Sequence, residues 1–165
     1  MAEAFNETVL PAEKVQRYAA VAEEIAAVLE GEPNVTARMA TVASMLAASF
    51  DHYFWTGFYV VDAERDRELV VGPYQGTLGC LRIAFGRGVC GTAAATRETQ
   101  VVEDVHAFPG HIACDSRSAS EIVVPVVDGS GELIAVFDVD SERRAAFDRI
   151  DREGLERILA QTFAG

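Results

Sequence analysis

The chain has 165 residues, half of them hydrophobic, and its 14 basic and 26 acidic residues give a formal net charge of −12. This length favours a single domain with a substantial core, and we expect a folded unit over residues 11–165 after a loosely held tail over residues 1–10. The acidic balance argues against binding to nucleic acid or to an anionic membrane, because both need clustered Lys and Arg.

The N-terminal residues contain no basic stretch followed by an apolar run, so they do not resemble a signal peptide. No uninterrupted apolar run is long enough to span a membrane. We therefore expect a cytoplasmic protein in a reducing compartment, where three cysteines do not form a structural disulfide framework. An odd number of thiols in that setting points to redox chemistry.

Helical patterns lie at the two ends of the chain. Pro11 can begin the first helix and Gly31 ends it, and Asn34 can cap a second helix. Asp148 can cap a last helix. The apolar faces of the three helices are, in order, Val15, Tyr18, Ala22, Ile25, Ala26 and Leu29; Val35, Met39, Val42, Leu46 and Phe50; and Ile150, Leu155, Ile158, Leu159 and Phe163.

Strand patterns fill the middle of the chain. We predict strands at 53–61, 68–71, 80–83, 100–105, 122–127 and 133–139, with a short helix at 89–97 and a loop at 107–120. Gly72 and Pro73 are expected to break the second strand, and the sequence DGSG joins the last two as a hairpin. In the first strand, Trp55, Gly57, Tyr59 and Val61 would share one face, and Phe54, Phe58 and Val60 the other. Helices at both ends and mostly antiparallel strands between them indicate an α+β fold.

The three thiols, Cys80, Cys90 and Cys114, fall in predicted loops or at the ends of elements. A free cysteine usually packs in the core, but Cys114 lies in a polar loop before a buried strand, a common place for a functional residue. None of the three belongs to a C-x-x-C pair, so we do not expect a zinc site of the usual spacing. His111 leaves Cys/His catalysis open, because its separation along the chain fixes no geometry.

Three carboxylates stand at strand ends. Glu121 opens one strand, and Asp138 and Asp140 close another on the same face. They form either a solvated sheet edge or an anionic cluster that binds an ammonium group and supplies a proton donor. Trp55 and Tyr59 are similarly either core aromatics or the wall of a small pocket.

Seven segments together resemble the GAF-domain free methionine-(R)-sulfoxide reductases: WTGFY (55–59), GPYQG (72–76), GRGVCGTA (86–93), EDVH (103–106), GHIACD (110–115), SEIVVP (120–125) and DVDS (138–141). The resemblance implies a GAF domain whose antiparallel sheet of about six strands carries helices on both faces, usually as a homodimer. It also implies reduction of free L-methionine-R-sulfoxide with thioredoxin as the electron donor and no metal or organic cofactor.

The resemblance assigns roles to individual residues. Cys114 would be the nucleophile, Cys80 the resolving thiol and Cys90 a secondary thiol, with a Cys80–Cys114 disulfide in the oxidised enzyme. Glu121, Asp138 and Asp140 would bind the substrate amine and assist proton transfer, while Trp55 and Tyr59 line the pocket. The alternatives are a GAF module that senses a small ligand without turnover, and a thiol peroxidase, which would not need the carboxylates.

Overall fold

A computed structural model describes residues 11–111 and 114–165, so the predicted N-terminal tail lies outside the described residues. The helices are α1 (Pro11–Val28), α2 (Val35–Ser49), α3 (Gly88–Thr96) and α4 (Arg149–Phe163), with a short 3-10 turn at Val105–Ala107. The strands are β1 (Trp55–Val61), β2 (Glu68–Gln75), β3 (Arg82–Ala84), β4 (Gln100–Val102), β5 (Ser120–Val127) and β6 (Leu133–Ser141).

The strands form one sheet in the order β3-β2-β1-β6-β5-β4, and every neighbouring pair is antiparallel. Long β1, β5 and β6 occupy the centre, while short β3 and β4 lie at the edges. The α+β prediction with a six-stranded antiparallel sheet is confirmed.

The two faces of the sheet carry very different amounts of packing. On one face, α2 and α4 contact the strands and α1 packs on both helices. Alternate residues of the central strands, including Phe58, Ile122, Val124, Phe137 and Val139, bury into this larger core. The other face is covered mainly by α3. Helices therefore lie on both faces, as predicted, and the thinner layer leaves space for a pocket.

The predicted break at Gly72 and Pro73 is wrong, because β2 continues to Gln75. The pairing shifts at this point: Tyr59 faces Val71 and Gly57 faces Tyr74, so Gly72 and Pro73 together stand opposite the single residue Phe58. A bulge of this kind tolerates a proline, which cannot donate to the ladder. Gly57 lets the strands approach, since a Cβ there would lie 2.2 Å from Tyr74 Cβ.

Two edge strands differ from their predicted bounds. β3 starts at Arg82, so Cys80 precedes the strand, and β4 ends at Val102. Beyond β4 the Asp104 side chain accepts a hydrogen bond from the His106 amide at 3.0 Å and starts the 3-10 turn. The short side-chain acceptor thus competes with the sheet ladder and ends it three residues early.

Some predicted apolar faces are also displaced. Val15 and Ala26 of α1 are exposed, because the buried stripe of that helix runs through Lys14, Tyr18, Val21 and Ile25. Val35, the first residue of α2, is exposed as well. Phe54 packs in the cluster of Trp55, not with Phe58 and Val60 as predicted. It lies in a bend before β1, where the alternation of strand residues does not apply.

Lys14 is buried because it pairs with Asp151, a fully buried carboxylate in the first turn of α4. Asp151 also accepts hydrogen bonds from Tyr18 Oη at 2.6 Å and His52 Nε2 at 3.0 Å. The Asp151 backbone amide donates to the side chain of Asp148, which caps the helix as predicted. In return, the Asp148 backbone amide donates to the Asp151 carboxylate. One carboxylate therefore joins α1, α4 and the segment after α2.

Within residues 11–111 and 114–165, no helix combines the length and the apolar character that crossing a membrane requires.

We expect Asp151→Asn to lower the free energy of unfolding at pH 7 by roughly 3–5 kcal/mol, because it leaves the buried Lys14 charge unpaired. Burial alone would raise the pKa of Asp151, but the hydrogen bonds from His52, Lys14 and Tyr18 hold it below its ordinary value. A lowered folded-state pKa means that this stabilisation is complete above about pH 4 and is lost as the pH falls further. Urea unfolding across pH 3–7 measures both effects.

The matched control is Glu153→Gln, which breaks an exposed pair with Arg149 on the same helix. It should cost no more than about 0.5 kcal/mol. An Asp151→Asn variant as stable as this control at pH 7 would contradict the role of the buried pair.

Candidate active site

The floor of the site comes from the pairing register of the three central strands. Trp55 on β1 pairs with Asp140 on β6, and Asp140 pairs with Glu121 on β5. Two residues along β6, Asp138 stands between Gly57 and Val123. Because side chains two residues apart share a face, the three carboxylates lie together on the α3 side of the sheet.

Helix α3 adds a thiol above this floor. Cys90 is 5% exposed, and its Sγ lies 3.9 Å from Glu121 Oε1. Ligand atoms of Cys90, Glu121 and Asp138 all lie within 4.8 Å of one another, the one such group that could hold a metal among the described residues. These residues are far apart in sequence, so a search for closely spaced ligands such as a C-x-x-C pair could not detect them.

An aromatic wall stands beside the carboxylates. The Trp55 ring stacks between Tyr59 and Tyr74, with centroids at 5.5 and 4.9 Å. The indole Nε1 donates to the Thr77 carbonyl at 2.9 Å, which fixes the ring. Gly79 lies directly over it, and a Cβ at Gly79 would be 2.9 Å from Trp55 Cζ2. The segment before Cys80 therefore touches the wall closely.

The roof consists of two loop segments joined by a disulfide between Cys80 and Cys114, whose Cα atoms are 5.8 Å apart. The Thr77 hydroxyl donates to Asp115 Oδ2 at 2.8 Å, so a hydrogen bond links the same two segments. The Arg117 guanidinium donates twice to Asp115 and holds the pKa of that carboxyl well below its usual range. Cys114 itself is exposed, and Cys90 remains a free, buried thiol.

The carboxylates of the floor are electrostatically unbalanced. Burial, and then the neighbouring charges of Asp140 and Glu121, raise the pKa of Asp138 well above its ordinary value. Burial and Glu121 do the same for Asp140. Burial and these carboxylates also raise the pKa values of the Cys90 thiol and of Tyr59. The floor therefore tends to hold protons, or to attract a cation that replaces them.

No Lys or Arg within the described ranges pairs with Glu121, Asp138 or Asp140. The nearest base is His111, whose Nε2 lies 3.7 Å from Glu121 Oε2. Asp138 is 4% exposed, and its Oδ1 has no hydrogen-bond partner in the described structure. A buried acceptor without a partner costs about 1–3 kcal/mol, so this oxygen is suited to a ligand that donates hydrogen bonds.

All the site residues predicted from the sequence line one pocket: Trp55, Tyr59, Cys80, Cys90, Cys114, Glu121, Asp138 and Asp140. The burial of Asp138 excludes the solvated-edge alternative for that residue. His111 faces Glu121, so the Cys/His pairing left open by the sequence has no support in this geometry.

Several residues that shape the pocket were missed, including Gly79, Arg87, Asp115 and Ser118. The bond from Thr77 to Asp115 spans 38 residues of sequence, and no local pattern could have indicated it.

Comparison with known proteins gives the family. The GAF domain model matches residues 39–162. A free methionine-R-sulfoxide reductase of Escherichia coli is 42% identical over 148 residues, covering 90% of this chain and 87% of the relative. The reductase of the same name from Saccharomyces cerevisiae is 50% identical over 104 residues, covering 63% of this chain and 58% of the yeast protein.

The free methionine-R-sulfoxide reductase of Neisseria meningitidis, solved in complex with its substrate, superposes with a TM-score of 0.84 at 47% identity. That match covers 91% of this chain and 90% of the Neisseria chain. On these grounds, the chain belongs to the GAF-domain free methionine-R-sulfoxide reductase family.

Proposed function

We propose that this protein reduces free L-methionine-R-sulfoxide to L-methionine by a cysteine sulfenic acid and disulfide mechanism. The observation that carries the proposal is the combination of an anionic pocket floor with a disulfide-bonded pair of cysteines in its roof. The substrate class is the one named for its relatives from E. coli and N. meningitidis.

The floor binds the ammonium group of the free amino acid. Asp138 Oδ1 is buried without a partner from residues 11–111 or 114–165, and Glu121 and Asp140 stand beside it. An ammonium supplies three donors and a positive charge, so it offsets the cost of burying these carboxylates. The S-methyl end of the substrate packs against Trp55 and Tyr59, whose rings form an apolar wall.

The floor also supplies the proton that the chemistry needs. The oxygen of a sulfoxide leaves sulfur only after protonation. Burial and the neighbouring carboxylates raise the pKa values of Asp138 and Asp140, which favours the protonated form, and we assign one of these two side chains as the donor to that oxygen.

The reaction then proceeds in three balanced steps. The Cys114 thiolate attacks the sulfur of the protonated sulfoxide and forms a sulfur–sulfur bond. The hydroxyl then passes from the methionine sulfur to the Cys114 sulfur as the sulfur–sulfur bond breaks, which releases methionine and leaves a sulfenic acid that holds the donated proton. The Cys80 thiol attacks this sulfenic acid, a disulfide forms, and water is released. A dithiol protein, which we propose to be thioredoxin, reduces the disulfide by exchange and becomes oxidised itself.

The Cys80–Cys114 disulfide favours Cys80 over Cys90 as the resolving thiol. Burial keeps Cys90 protonated, which makes it a poor nucleophile. The secondary role that the resemblance assigns to Cys90 therefore stays a prediction. Homodimerisation and a cytoplasmic location are further parts of the proposal.

The sensor and peroxidase alternatives differ from this proposal in one assay. NADPH consumption through thioredoxin and thioredoxin reductase is followed with methionine sulfoxide or with hydrogen peroxide as the oxidant. A sensor module consumes no NADPH with either oxidant, and a thiol peroxidase prefers the peroxide. The oxygen of Asp138 that lacks a partner in the described part of the chain favours the reductase, because a peroxide carries no ammonium group to satisfy it.

Cys114→Ser should reduce turnover by at least about 10³-fold, because a serine hydroxyl does not accept the sulfoxide oxygen. Ser116→Ala, a neighbouring exposed change in the same loop, is the matched control and should keep full activity. Circular dichroism should show both variants folded. Activity of Cys114→Ser close to that of the control would refute the assignment.

Cys80→Ser should still complete one turnover, because the first attack needs only Cys114. Multiple turnover with thioredoxin should fail, and dimedone should label a sulfenic acid on Cys114, detected by mass spectrometry. Normal thioredoxin-dependent rates in this variant would transfer the resolving role to Cys90.

The enzyme should prefer free methionine-R-sulfoxide to its N-acetylated form by about 5- to 150-fold for each carboxylate left unsatisfied by the neutral amide. The ratio of kcat/KM for the two substrates measures this preference. Asp138→Asn should narrow the ratio, since an amide in place of the carboxylate no longer demands a positive charge. Equal rates on both substrates in the wild type would show that the floor does not recognise the ammonium.

A further inference from the structure

Three buried residues from three different elements converge at one point of the pocket. Cys90 comes from α3, Glu121 from β5 and Asp138 from β6, and all three side chains are at least nine-tenths buried. Their ligand atoms lie within 4.8 Å of one another. We propose that this group, which we call the Cys90 triad, binds a thiophilic divalent cation such as Zn²⁺, and that the bound ion excludes the substrate.

The distance between two of the three ligand atoms is close to that in a zinc site. Zinc binds cysteine sulfur at about 2.3 Å and carboxylate oxygen at about 2.0–2.2 Å, so a sulfur and an oxygen in tetrahedral geometry lie roughly 3.5–3.7 Å apart. The observed 3.9 Å between Cys90 Sγ and Glu121 Oε1 exceeds this by only a few tenths of an ångström. Three protein ligands leave a fourth position for water, as in zinc sites that are open on one side.

An independent observation points to a ligand at the same place. Asp138 Oδ1 is buried and lacks a hydrogen-bond partner among the described residues, and the neighbouring Cys90 thiol donates to Glu121 instead. A cation there would satisfy this oxygen and compensate the negative charge of the floor. The deprotonated triad carries three negative charges, so a divalent ion still leaves the site with an excess negative charge that retains it.

The sulfur ligand favours cations that bind thiolates. An ammonium group needs oxygen acceptors and has no use for a sulfur donor, whereas Zn²⁺ and Co²⁺ bind thiolates strongly. Mg²⁺ and Ca²⁺ prefer sites made of oxygen only, so the mixed donor set disfavours them. Because Glu121 and Asp138 are also the residues proposed to hold the substrate amine, metal and substrate cannot occupy the floor together.

Cobalt titration of the oxidised, untagged protein tests the site directly. The chain has three cysteines and two of them form the disulfide, so Cys90 is the only thiol left to bind metal. Co²⁺ should produce a thiolate-to-cobalt charge-transfer band in the near ultraviolet that saturates at one equivalent, and Zn²⁺ should abolish it. The absence of a band in the wild-type protein would overturn the proposal.

Variants then identify the ligands. Cys90→Ser should lose the band, and Asp138→Asn should weaken cobalt binding by at least about tenfold. Glu132→Gln removes one exposed carboxylate outside the pocket and should leave the titration unchanged. Far-ultraviolet circular dichroism establishes that each variant is folded, and Cys90→Ala replaces the serine variant if that one unfolds. A band that survives without the Cys90 thiol would refute the site.

Exclusion of the substrate rests on the proposed function and has its own readout. Free methionine sulfoxide added in excess to the cobalt-loaded protein should reduce the band, while N-acetylmethionine sulfoxide should not. An unchanged band with the free substrate would overturn the exclusion. A normal cobalt titration in a protein that lacks reductase activity would leave the metal site standing and refute the proposed function alone.

Discussion

Three acidic side chains buried on one face of the sheet are the constraint on which the rest of the site depends. Glu121, Asp138 and Asp140 are placed there by strand pairing, and the described structure offers them no lysine or arginine partner. Buried carboxylates without counter-charges must take up protons or a cationic ligand. The neighbouring groups complete a binding site around these acids. Aromatic rings form one wall, a thiol lies beside the acids, and two loop segments joined by a disulfide cover them.

The asymmetry of the two faces makes such a site tolerable. The larger core, between the sheet and α1, α2 and α4, contains most of the buried apolar residues and the fully satisfied Asp151 network. There a buried carboxylate has four donors, and its pKa falls. On the opposite face the same residue type has few partners, and its pKa rises. Stability and reactivity are thus assigned to different faces of one sheet.

Local patterns in the sequence were sufficient for most of the fold, and together with the family resemblance they singled out residues that line one pocket. The period of two placed Asp138 and Asp140 on one face, and the capping signal at Asp148 marked the start of α4. The errors occurred where distant contacts override local rules. Pro73 remains in β2 because a bulge accommodates it. Lys14 is buried because it pairs with Asp151, a residue 137 positions away in the sequence. The Cys90 triad could not be predicted for the same reason. Sequence motifs for metal sites detect ligands at short spacings along the chain, whereas these three residues come from three separate elements.

The Cys80–Cys114 bond also changes the chain as a polymer. It closes a covalent ring over a sequence separation of 34 residues, which contains β3, α3 and β4. In the chain-entropy model a ring of this size removes about 4 kcal/mol of conformational freedom from the unfolded state. The oxidised protein should therefore resist unfolding more than the reduced one. By the same thermodynamic cycle the native fold favours the disulfide by an equal amount, so folding of the chain and formation of this bond stabilise each other.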